Sequence, residues 1–122
     1  MLLTSREHTC ASFTLTGLAS FAVSPLATVE ELSLAHDPAY INSFLRGTLE
    51  PMHQKRIGFP WTAEGVDRAL SSVGGTVAAA RAVCEPLQEG AEPLLFAGHL
   101  AGGTHHAFAD RGEGTAFSRI LQ

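Results

Sequence analysis

At 122 residues the chain fits one ordinary domain, and with 45% hydrophobic and 16% charged residues it is globular rather than disordered. A formal net charge of −4 gives no basic footprint for nucleic acid, and no apolar run approaches the roughly 20 residues of a membrane span. Two cysteines, Cys10 and Cys84, far apart and without a CxxC partner, argue against a disulfide scaffold or a structural zinc site and suit a reducing, intracellular compartment.

Residues 1–25 have no sustained period and end at the breaker Pro25. Glu7 and scattered Ser and Thr dilute any leader pattern, so an ordinary or poorly ordered N-terminus is expected. Thr28 followed by Glu30 and Glu31 marks a helix start, with acids in the first turn where the dipole favours them. Asp37-Pro38 marks a second start, with Asp at the N-cap and Pro at the first helical position; Ile41, Phe44 and Leu45 give an apolar face and Gly47 a stop. The stretch "GTLEPMHQKRIGFPW" (47–61) has no period and reads as a loop. A long helix follows from about Thr62, its N-cap, to Cys84, with Val66, Leu70, Val73, Val77, Ala80 and Cys84 along one stripe. Gly74-Gly75 costs about 1 kcal/mol per glycine in mid-helix, a cost usually tolerated where another backbone packs closely.

Pro86, Gly90 and Pro93 predict a turn, and "LLFAGHLAGG" (94–103) a buried strand between breakers. A long helix feeding a buried strand is the second half of a βαβ-like unit, so the expected class is α/β with a parallel sheet. One good strand and three helices would leave that sheet thinly covered and its backbone groups unpaired.

The segment "GGTHHAFADRGEG" (102–114) would then leave the C-terminal end of a parallel strand, where open α/β sheets bind ligands. Adjacent residues point to opposite faces of a strand, so His105 and His106 converge only in irregular backbone, which the flanking glycines permit. Two adjacent imidazoles chelate one tetrahedral metal poorly, since helical ligand pairs sit three to five residues apart. They suit proton handling: protonating one lowers the pKa of the other, so one stays a neutral base near about pH 7. A solvated loop that merely contains two histidines is the alternative the doublet alone leaves open. His99 is expected to be a hydrogen-bonded core residue, His36 helix packing, and His8 and His53 exposed. Asp110 and Glu113 could orient the doublet, although solvated loop carboxylates are the simpler expectation.

"LAHDPAYI", "RIGFPW", "SVGGTVAAARA" and "LAGGTHHAFADRGEG", in this order and spacing, resemble the N-terminal part of the zinc-dependent histone deacetylase superfamily. The resemblance is to its class IV-like branch of bacterial, algal and plant proteins. It divides the chain into a divergent N-terminus (1–25), a deacetylase-like segment (26–114) and a divergent tail (115–122). It implies a partial arginase/deacetylase-like fold, a parallel sheet with flanking helices, truncated before the metal-binding half. It also implies hydrolysis of acetyl-lysine or a related acyl amide, in proteins or small amines. His106 would be the general base beside the metal-bound water, His105 its electrostatic partner, and the Gly114 carbonyl part of the acyl-lysine tunnel.

Thr115 stands where the family's tunnel-lining phenylalanine belongs, and no Asn-Asp pair follows. In the family the zinc ligands, the carboxylates behind the histidines and the transition-state tyrosine lie downstream. The expectation is therefore a fragment with no metal ligands of its own, binding no catalytic zinc and inactive alone. The alternative is a non-catalytic product that associates with a full-length deacetylase.

Overall fold

The computed structural model describes residues 2–4, 20–84, 96–100 and 105–114. The expectations for most of residues 1–19, including Cys10 and His8, for the Pro86–Pro93 turn and for the tail from Thr115 lie outside the described residues. So do half the positions of the 94–103 strand. The chain divides into two compact units, Met1–Ala27 with Arg68–Gly102, and Thr28–Asp67 with Gly103–Gln122.

In the first unit, β1 (Leu2–Thr4) pairs in parallel with β2 (Phe21–Val23) and with β3 (Gly98–His99), in the order β2-β1-β3. The 94–103 segment is thus not a lone strand, because His99 registers with Leu3, and Leu2 in turn with Phe21. Two three-residue strands near the N-terminus are too short for an alternating pattern to show in the sequence. Burial is also less than expected: His99 is half-buried, while Phe96 and Leu100 on either side of β3 are exposed.

The second unit begins with α1 (Val29–Ser33), whose Thr28 cap forms a full capping box: Glu31 N–H donates to Thr28 Oγ1 (3.2 Å) and Thr28 N–H to Glu31 Oε2 (2.9 Å). A hydrogen bond from its own backbone N–H and, after it, one from the Thr28 hydroxyl hold the Glu30 carboxyl below its ordinary pKa. Helix α2 (Pro38–Arg46) starts at Asp37-Pro38 and stops at Gly47, which takes the left-handed conformation with φ 68°. Its Ile41 is buried.

The expected 47–61 loop instead contains α3 (Pro51–Ile57), which runs from Glu50-Pro51 to a left-handed Gly58. Proline at the first position and glycine after the last are the same punctuation as in α2, and Lys55 and Arg56 in the last turn suit the dipole. A seven-residue helix with no buried residue carries no hydrophobic period to mark it. After it, Trp61 lies over Gly47 and donates its indole N–H to the Phe44 carbonyl at 2.8 Å.

Helix α4 (Ala63–Cys84) is capped by Thr62, which accepts the Gly65 N–H at its hydroxyl (2.9 Å) and the Val66 N–H at its carbonyl (3.0 Å). Its buried positions are Val66, Ser71, Gly74, Gly75 and Ala79, whereas Val73, Ala80 and Cys84 are exposed. The buried face is therefore rotated from the expected Val/Leu stripe towards small residues. Close backbone contact is the reason: a Cβ on Gly74 would lie 2.2 Å from the Pro25 carbonyl oxygen and 2.7 Å from the Ala27 nitrogen. Ala27 N–H also donates to the Leu70 carbonyl, at 3.0 Å. The glycine pair is structural, and the packing it permits selects small side chains over large apolar ones.

Candidate functional site

The histidine doublet lies in an antiparallel hairpin, not in a loop. Strand β4 (His105–Ala107) pairs with β5 (Gly112–Gly114), matching His105 with Gly114, His106 with Glu113 and Ala107 with Gly112. Regular strand backbone puts successive positions 105 and 106 on opposite faces, in place of the irregular backbone expected here. The His106 side chain is exposed. Gly114, expected at the acyl-lysine tunnel, is thus the cross-strand partner of His105.

The turn is short and internally braced. Phe108 N–H donates to the Arg111 carbonyl at 2.9 Å. The Arg111 guanidinium lies 3.9 Å from the centre of the Phe108 ring, a cation–π contact. It also donates to Asp110 Oδ1 (2.9 Å) and Glu113 Oε1 (3.0 Å). The two carboxylates that could have oriented the doublet are thus engaged by Arg111, and together they hold its pKa above the ordinary value.

Helix α2 holds the turn from outside. Asp37 N–H donates to the Ala109 carbonyl at 2.8 Å, and His36 Nδ1 bonds the Phe108 carbonyl at 2.6 Å. One turn along α2, the Tyr40 hydroxyl sits beside Gly112, where a Cβ would come within 3.1 Å of it. Burial raises the Tyr40 pKa, a hydrogen bond from the Gly112 backbone opposes this, and the Asp110 charge adds to it. Ile57 at the end of α3 completes the seat, 4.0 Å from the same point on Gly112. The His36 and Tyr40 rings lie 5.4 Å apart, and Tyr40 stacks on Phe44 at 6.5 Å.

His36 is therefore more than helix packing. Its partner is 72 residues away, and no local pattern in the sequence reports such a contact. The signal that existed was its place just before the Asp37-Pro38 start, where a helix N-terminus leaves backbone donors free for an incoming carbonyl. His53, expected exposed, is half-buried.

His99 departs from expectation in the other direction. Neither of its ring nitrogens has a hydrogen-bond partner, although both are buried, and the hydroxyls of Ser24 and Ser71 are in the same condition. Burial lowers the His99 pKa. A Cβ on Gly75 would lie 2.5 Å from the His99 ring and 2.6 Å from Ser24 Oγ, so the ring packs onto bare helix backbone.

Among the described residues, no group of three or more His, Cys, Asp or Glu is placed to hold a metal ion. Asp110 and Glu113 face Arg111, and His36 faces a carbonyl, so the described side chains do not fit a zinc site. Among the same residues no helix is long and apolar enough to cross a membrane.

Residues 5–118 match the family model described as the histone deacetylase domain. The match extends on both sides of the 26–114 segment that carries the motifs. Over 83 residues, 68% of this chain, the sequence is 45% identical to an uncharacterized protein of Picosynechococcus sp.. The chain spans only 25% of that relative's length.

Proposed function

The chain belongs to the histone deacetylase domain family, and from that premise we propose that it supplies the proton-handling part of a deacetylase-like site acting on acetyl-lysine or a related acyl amide. The observation that carries this reading is the tandem His105-His106 on a braced hairpin, inside the matched span and with His106 exposed. Exposure lets His106 meet water or substrate, as a general base must. In the proposed roles His106 takes a proton from the attacking water and returns it to the leaving amine. His105, at the neighbouring strand position and so on the opposite face of β4, biases the charge state of His106 electrostatically rather than by sharing its pocket, and the Gly114 carbonyl lines the passage for the acyl-lysine chain. Hydrolysis then cleaves the amide C–N bond, giving a carboxylate and a free amine.

The family is generally zinc-dependent, with the metal polarising the amide carbonyl. The described residues offer no zinc site. The arginase-like arrangement, with a parallel sheet between helices, is the architecture we propose for the domain.

The test replaces the matching 83-residue stretch of the Picosynechococcus relative with this chain's own. The chimera should release acetate from an acetyl-lysine peptide. Changing His106→Ala should lower the rate about 10²–10⁴-fold, the span of general acid–base catalysis. A chimera without activity, or one indifferent to His106→Ala, would refute the reading.

A further inference from the structure

A hairpin of two three-residue strands has no stability of its own, since an isolated two-stranded ribbon is marginal at best in water. Its residues 106–110 are all exposed and 111–113 only half-buried. Its geometry must come from what it is tied to. The structure assigns that role to His36, as the positioning residue that fixes the turn behind the histidine doublet; this rests on the reading of His105-His106 as the general-base pair.

The contact is specific in chemistry. A carbonyl oxygen can only accept, so at 2.6 Å the proton of the bond must sit on His36 Nδ1. The neutral ring is thereby held as the Nδ1–H tautomer, with Nε2 unprotonated. The next carbonyl, of Ala109, is taken by the Asp37 N–H, so two consecutive turn carbonyls are fixed by two consecutive residues at the start of α2. From Phe108 back to His106 is two residues of extended chain, about 7 Å at the rise of a strand. Movement of the turn therefore passes to His106 with little slack. Tyr40, which takes a hydrogen bond from the Gly112 backbone, and Ile57 seat the second strand, while the His36 and Asp37 bonds fix the turn itself against the start of α2.

The first experiment uses the 122-residue chain and needs no activity. Long-range proton–nitrogen NMR should find His36 protonated at Nδ1; an Nε2–H ring would overturn the assignment. In His36→Phe, the cross-strand amides of residues 105–107 and 112–114 should exchange about 10-fold faster, while those of α4 stay unchanged. His36→Asn, whose amide nitrogen falls near Nδ1, should restore protection. Hairpin exchange unchanged in His36→Phe, or equally fast in Phe and Asn variants, would overturn it.

A second experiment puts the same two variants into the chimera. His36→Phe should lower kcat about 10–100-fold with KM unchanged, as expected when a reacting group is misplaced, and Asn should recover most of it. A loss confined to KM would overturn the positioning role. A loosened hairpin in a chimera indifferent to His106→Ala would leave the tether standing and refute the general-base reading instead.

Discussion

Gly74→Ala puts the backbone contact beneath α4 to a quantitative test. On an open helix surface the change would stabilise by about 1 kcal/mol, because alanine is the better helix former. Here the new methyl would lie 2.2 Å from the Pro25 carbonyl oxygen, 2.7 Å from the Ala27 nitrogen and 2.9 Å from the Leu26 carbonyl carbon. All three are main-chain atoms, which no rotamer change can move aside. Overpacking of this kind costs about 1–3 kcal/mol. Displacing residues 25–27 also breaks the 3.0 Å bond from Ala27 N–H to the Leu70 carbonyl, leaving two buried groups unpaired at about 1–3 kcal/mol more. The helix-propensity gain offsets part of this, for a net destabilisation of about 3 kcal/mol. Gly75→Ala meets side-chain atoms of His99 and Ser24 instead and should cost about 1–2 kcal/mol. Urea unfolding followed by far-UV circular dichroism reads both as midpoint shifts at unchanged slope. A Gly74→Ala protein more stable than the parent would refute the close approach.

Stability should also fall on acidification through His99, whose pKa burial lowers from the ordinary 6.5. The unfolded chain then takes up that proton first, so the contribution is complete above 6.5 and is lost as pH falls below it. Titrating stability from about pH 8 to about pH 5 should show a steeper loss in the parent than in His99→Leu, and superimposable curves would contradict the reasoning. Gly47→Ala combines a left-handed residue, φ 68°, with a methyl 2.7 Å from the Trp61 ring. It should lower stability by about 2 kcal/mol or more in the same urea assay, and no change would show that α2 does not end there.

The helix starts were legible where a short chemical signature sets them: Thr28 with Glu31, Asp37-Pro38 with Gly47, and Thr62 before the long helix. Glu50-Pro51 with Gly58 carries the same punctuation, but α3 between them buries no residue and so has no hydrophobic period to mark it as a helix. What the sequence hid is what depends on distant partners. The buried face of α4 is set by the segment 24–27 and by His99, not by its own apolar stripe. The doublet's motif was plain, yet its strand conformation depends on pairing with residues 112–114. Asp110 and Glu113 looked free to orient histidines until Arg111, between them in sequence, turned out to hold both.

The chain has a single tryptophan, and its anchorage to Phe44 and Gly47 lies wholly within the second unit. Most of α4, the longest helix, lies in the first unit. Fluorescence therefore follows the second unit alone, while the helical dichroism draws on helical residues of both units. Melting curves from the two probes that coincide would mean cooperative unfolding of the whole chain; curves that separate would mean two thermodynamic domains sharing one helix.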